Sequence, residues 1–363
     1  MSRLLPIVLL LPLPALAETS PDWVLGHELA VKLQGELTAP DRAKTRVGLY
    51  SDAELQSRLD FRDWFSLTSS IKLERTRNTN LASYYPDRNT AFRSEALTLR
   101  QLYATLRPVE GLAVTAGKIH PAFGSAWGPS MPGTFYNFGT DYEQDERIGA
   151  GLTYTLGDVR FSIEASYLDT SPLSYTFPRG PSLFDGTASR GWRYARSQLG
   201  PGNTGGLQSV VASARGGKAG EGLVWQASFS HQAVADRAAV AERGVSAGAS
   251  YDPTGKGVML TETVGVTPFL EYAHFNGFGT VRGLERHYLL GGLAVTEGDW
   301  TLSFAGGIRR SLGAVVGTDH QQNVTLTYEL LPKLQVGVGI NHITLAGRGS
   351  WTLAPALSYA VSF

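Results

Sequence analysis

Residues 120–146 gather the side chains with the most chemical potential in the chain: Phe123, Trp127, Phe135, Tyr136 and Phe138 are followed by Asp141, Glu143, Asp145 and Glu146. Four carboxylates within six residues set up a concentrated negative potential, suited to facing a set of bases across a narrow gap. A plainer role is also open to Asp145 and Glu146, as an acidic stem held by nearby arginines such as Arg147. Five aromatics have no use on a solvated loop, so the segment is expected to pack against something, most simply the inside of whatever wall carries it.

Other constellations read as negatives. Gly244-Val-Ser246-Ala-Gly248 matches the Gly-x-Ser-x-Gly nucleophile elbow, which needs a strand-to-helix turn in an α/β sheet. Here it lies inside an alternating run in which Ser246 shares the polar phase with Ser250, so a wall serine is expected. His231, His274 and His342 have no partner at a catalytic spacing and suit a rim or interfacial belt. There is no His-x-x-x-His pair, no phosphate-cradling glycine loop and no carboxylate pair in a sugar or metal motif. The expectation is no catalytic residue, no metal and no cofactor.

The elements that must position the acidic segment are strands. Residues 352–363 put Leu353, Pro355, Leu357, Tyr359, Val361 and Phe363 on one phase and small or polar residues on the other, which gives one oily and one polar face. The same alternation opens at Gly26, with Leu29, Val31, Leu33, Gly35 and Leu37 set against Glu28, Lys32, Gln34 and Glu36. It recurs over 65–73, 148–156, 159–167, 223–229, 245–251, 300–308, 324–330 and 334–340. Over 100–106, 208–215, 264–275 and 287–295 apolar residues fall on both faces, consistent with bulges or a partly filled interior.

Connections alternate between short ones, such as Arg62-Asp63, Gly157-Asp158 and Pro332-Lys333, and long ones near 77–92, 120–146 and 171–205. The pattern predicts an all-β, transmembrane antiparallel barrel of about 16 strands, with 14 and 18 as neighbouring counts. Both termini fall on the periplasmic side, and the acidic segment is the third connection on the side opposite, where the long loops lie. At the amino end, Met1-Ser-Arg3 precedes an apolar run over 4–16, interrupted by Pro6, Pro12 and Pro14 and closed by Ala15-Leu16-Ala17. That is the form of a signal peptide over 1–17, leaving 18–363 as the barrel.

Composition agrees with an exported barrel. There is no cysteine, so no disulfide, thiolate ligand or thiol nucleophile is available. Lysine plus arginine equals aspartate plus glutamate at 32 each, so no net charge draws the chain to nucleic acid. A barrel of about 16 strands is too wide to be filled by its own side chains and leaves an aqueous lumen. Lys32, Arg58, Lys72, Glu74, Arg160, Glu164, Arg309 and Glu329 lie on the polar phase of their strands, as a wet wall requires. Folded inward, the acidic loop would narrow that lumen. With Lys32, Arg58, Lys72 and Arg100 across from it, a transverse field would order water and favour small polar solutes.

In position and character this loop resembles the constriction loop of 16-stranded bacterial porins, also a third outer loop that carries acids and faces a basic wall. The stretches Gly117-Lys-Ile-His-Pro-Ala-Phe-Gly124, Asp141-Tyr-Glu143, Glu146-Arg-Ile-Gly149, Asp169-Thr-Ser-Pro-Leu-Ser174 and Asn203-Thr-Gly-Gly-Leu207 resemble a family of largely uncharacterised porin-like outer-membrane proteins of alphaproteobacteria. The resemblance spans most of the mature chain. Members usually carry an Asn where this chain has His120.

The function implied is passive diffusion of small hydrophilic solutes across the Gram-negative outer membrane. Alternatives are a porin selective for anions or sugars and a non-conducting scaffold barrel. The partners implied are outer-membrane lipid, small polar solutes and the barrel-assembly machinery, which would read the closing strand ending in Phe363. Porins of this size are often homotrimers, and the strand pattern leaves oligomeric state open.

Overall fold

Strands with one apolar and one polar face are stable in a bilayer only if no edge is left unpaired, because an unpaired backbone group in hydrocarbon is costly. The chain meets that requirement by closing on itself. A computed structural model describes residues 23–363 apart from 41–43, 76–89, 93–94, 127–137, 175–199, 219, 237–238 and 256, with Arg75 and Thr90 described in the backbone only. The leader expected over 1–17 and the loop aromatics Trp127, Phe135 and Tyr136 lie outside the described residues.

In chain order the strands are β1 (Trp23–Pro40), β2 (Arg46–Phe61), β3 (Phe65–Arg75), β4 (Thr90–Ala91), β5 (Glu95–Val109), β6 (Leu112–Ile119), β7 (Arg147–Leu156), β8 (Val159–Leu168) and β9 (Ser209–Gly216). They continue as β10 (Gly222–Gln232), β11 (Glu242–Asp252), β12 (Val258–Met259), β13 (Val264–Asn276), β14 (Leu284–Glu297), β15 (Trp300–Gly313), β16 (Gly317–Leu331), β17 (Leu334–Leu345) and β18 (Arg348–Ser362). β4 and β12 are two-residue bridges. The other sixteen form a closed antiparallel barrel, each pairing with its neighbours in sequence and β1 pairing with both β2 and β18.

The seam is tied at its end as well as along its length. Phe363 N–H donates to the His27 carbonyl at 2.9 Å, His27 N–H donates to the Phe363 carbonyl at 2.8 Å, and the two rings lie 5.3 Å apart. Leu353, Leu357 and Tyr359 of β18 face outward while Ser350, Thr352 and Ala354 are buried on the inner face, as the alternation predicts.

The outer surface is apolar throughout, from Val31, Leu33 and Leu37 on β1 to Phe304 and Ile308 on β15 and Val338 and Ile340 on β17. Aromatic stacks cluster near the short-turn end, with Trp23 on Phe61 at 4.4 Å and Trp300 on Tyr328 at 4.6 Å. Such a surface contacts lipid. Gly244 and Gly248 of the elbow-like motif both lie within strand β11 and not at a strand-to-helix turn. Ser246 Oγ is 2.6 Å from Ser228 Oγ of β10.

Candidate functional site

Among the described residues, large apolar side chains gather on the inner face along an arc that runs from β13 to β15. On β13 Phe269, Ala273 and Phe275 are buried while their outward neighbours Leu270 and Tyr272 are 57% and 43% exposed. Tyr288 and Leu290 of β14 and Ala305 of β15 extend the arc. Phe123, Ala126, Phe138 and Tyr142, from the two described stems of the loop between β6 and β7, complete one cluster with them. The stems therefore lie inside the barrel, and burying each large ring contributes on the order of 2–3 kcal/mol.

Polar anchors fix the stems on this arc. Glu271 of β13, inward and 1% exposed, accepts from Ser125 N–H at 2.7 Å, Ala126 N–H at 3.2 Å, and the hydroxyls of Ser125 and Tyr142. Phe138 N–H donates to Gln321 Oε1 of β16 at 3.0 Å, and Ala122 N–H to Glu164 Oε2 of β8 at 2.8 Å. The elbow-like glycines belong to the same seat. A Cβ on Gly248 would sit 2.8 Å from Glu271 Oε2, and one on Gly244 would sit 2.4 Å from the Phe275 ring. The motif is glycine-rich because the groups that hold the loop lie over it.

The four loop acids separate. Asp141 is held by Arg309 of β15 at 2.6 Å and by the Tyr288 hydroxyl at 3.2 Å. Glu143 and Asp145 meet Arg100 of β5 at 3.2 and 2.9 Å, remaining 21% and 18% exposed. Glu146 is 1% exposed and lies 3.1 Å from Lys118 Nζ of β6, which also reaches Asp169 at 2.9 Å and the Leu173 carbonyl at 2.9 Å. Arg147, the base nearest in sequence, bonds instead to the Pro201 carbonyl at 3.0 Å and to Gln232 Oε1 at 2.7 Å.

Of the wall bases, the structure brings Arg100 to the acids and leaves three with local partners. Arg58 binds Asp60 two residues along the same strand at 2.8 Å, Lys72 lies 3.2 Å from Asp52 and 3.7 Å from Glu74, and Lys32 is in register with Asp52. This side of the lumen is thus a wall of mixed sign. Arg100 reaches in because it is the extra residue of a bulge: Ser70 pairs with Gln101 and Ile71 with Leu99, leaving Arg100 between them.

Electrostatics divide the loop further. Burial, reinforced by the charge of Asp145 and opposed by Arg100, raises Glu143 to about 7. Burial lowers His120, whose Nε2 is 3.5 Å from Glu143 Oε1, to about 4, so its ring is neutral at pH 7. Lys118, Glu271 and Arg309 were absent from the sequence-based list of constriction residues. Their signal was indirect: an uncertain phase over 264–275 marks the arc where inner positions are apolar because the loop covers them.

A closed sixteen-stranded antiparallel barrel with an apolar outer face and polar interior has the fold of an outer-membrane porin and belongs in the Gram-negative outer membrane. Solved structures of that kind share the fold. The outer membrane channel DcaP of Acinetobacter baumannii is 11% identical, covering 94% of this chain and 97% of that one at a TM-score of 0.59. OmpF of Salmonella typhi, in complex with daunomycin, is 12% identical over 93% and 97% at 0.59. The anion-selective porin of Comamonas acidovorans is 10% identical over 93% and 99% at 0.55. No protein-family model and no curated protein sequence matches the chain.

Proposed function

We propose that this protein is a porin for passive diffusion of small hydrophilic solutes, without catalysis, its lumen narrowed by the loop between β6 and β7. The observation that carries the reading is the seating of both loop stems on the inner wall, held by Glu271 and Arg309 on one side and Arg100 on the other. Glu143 and Asp145, the loop acids that keep the most solvent contact, line the narrow zone with Arg100 and the mixed wall of Lys32, Lys72 and Arg58. Glu146 and Asp141 act as anchors. The leader over 1–17 directs export, the strand ending at Phe363 is read by the assembly machinery, and the chain is a member of the alphaproteobacterial porin-like family.

The deciding experiment is single-channel recording from the refolded chain in a planar bilayer, with the reversal potential taken in a salt gradient. Discrete open steps are expected, and their grouping in threes would identify a trimer. A folded, heat-modifiable barrel without steps overturns the channel reading in favour of a plugged scaffold.

Selectivity should titrate. Glu143 is protonated below and ionised above its raised value near 7, so negative charge appears in the narrow zone as pH rises from 6 to 8. The cation-to-anion permeability ratio should rise over that interval, because a negative charge is added at the constriction. Glu143→Gln should flatten the step; a step that persists in the variant removes Glu143 from the pore lining.

A further inference from the structure

Beyond the narrow zone, toward the short turns, the lumen wall forms a recess of about 350 Å³ whose lining includes Arg160, Arg215, Lys218, Gln226, Val224 and Phe269. The register places Arg160 of β8 directly opposite Arg215 of β9, both on the inward phase. Like charges directly opposite on one face of a sheet destabilise it. Glu164 and Glu271 lie near enough to attract Arg215, but neither touches a guanidinium of the pair. Glu164 is engaged by Ala122 N–H and Glu271 by the loop, and among the described residues neither arginine has a carboxylate within 4.0 Å. Arg215 donates one long bond, 3.4 Å, to the Gly124 carbonyl, and its Nε is buried without a hydrogen-bond partner. Asp158 is the one acid in the lining, 3.8 Å from Lys218.

We propose that this recess is a binding subsite for small organic carboxylates, built on the Arg160–Arg215 pair. The inference rests on the channel reading above and adds a solute class to it. A guanidinium fork matches the planar, bidentate geometry of a carboxylate, which would give the pair a direct anionic partner. Phe269 and Val224 give a compact apolar body a surface to lie on, and the volume suits a small molecule. A solute leaving the narrow zone would be held here before release at the periplasmic mouth.

The test is calorimetry of sodium benzoate binding to the refolded full chain in detergent, with channel recordings in parallel. Wild type should bind benzoate, and Arg160→Gln and Arg215→Gln should each weaken it at least tenfold, while Lys333→Gln, on an exposed turn, leaves it unchanged. Benzyl alcohol, close in shape but uncharged, should bind wild type at least tenfold more weakly, a comparison that requires no variant to fold. No benzoate binding to wild type, equal binding of the alcohol, or unchanged binding in both arginine variants overturns the subsite. Conduction in chloride without benzoate binding would remove the subsite and leave the channel standing. Benzoate binding without conduction would do the reverse.

Discussion

Replacing Lys118 with methionine is expected to destabilise the folded barrel by about 3–5 kcal/mol, the scale for removing one partner of a buried ion pair. Lys118 and Asp169 are fully buried and Glu146 is 1% exposed. The ammonium lies between two carboxylates at 3.1 and 2.9 Å and donates hydrogen bonds to Glu146 and to the Leu173 carbonyl. Without it, two buried carboxylates face each other with no cation between them. The cluster joins the end of β6, the start of β7 and the segment after β8, so both long loops should loosen together. Urea unfolding in detergent, read as the loss of heat-modifiable mobility, measures the effect. Adding Glu146→Gln and Asp169→Asn to the variant should restore much of the loss, because the repulsion goes with the charges. An unshifted unfolding midpoint for Lys118→Met would show that the triad does not hold the loops.

Glu271→Ala should enlarge and destabilise the channel without dissolving the barrel. The carboxylate is the common acceptor for two backbone N–H groups and two hydroxyls of the loop stems. Each buried donor left unsatisfied costs about 1–3 kcal/mol, so the seated loop should lose roughly 3 kcal/mol or more relative to an unseated one. Single-channel conductance should rise and current noise increase, while β13 keeps its outward Leu270 and Tyr272 in lipid and the barrel remains heat-modifiable. Glu271→Gln keeps one acceptor oxygen and should fall between. Conductance and noise equal to wild type would place the loop's support elsewhere.

Much of this architecture is legible in the sequence because a closed barrel leaves each strand only two environments. The alternation on β1 and β18 names inward and outward residues correctly, since lipid on one side and water on the other enforce a period of two. The reading weakens where the inner environment is no longer water. On β13 and β14 the loop covers the wall, so Phe269, Phe275, Tyr288 and Leu290 are inward and apolar and the period blurs. On β5 the phase shifts by one at Arg100: the mixed phase over 100–106 points to a bulge, and the pairing with β3 places it.

Ion pairing was harder to anticipate. Arg58 prefers Asp60, which shares its strand face two residues away, to an acid across the lumen. Lys118 recruits Glu146 and Asp169 from segments that sequence separation keeps apart. Local opposite charges on one strand phase could have been discounted in advance; the Lys118 triad depends on where two loops return.

Anchoring the loop at both ends bears on how the channel responds to voltage. A potential of 100 mV does about 2.3 kcal/mol of work on an elementary charge carried across the whole membrane, and a loop already inside the lumen traverses only a fraction of that drop. Asp141, Asp145 and Glu146 each sit beside a basic partner, so displacing the loop would part those pairs as well as the contacts around Phe123 and Phe138. Membrane voltage is therefore a weak lever against the two anchored stems. Open current should scale linearly with potential up to about 100 mV, and curvature over that range would show that the stems leave their seat.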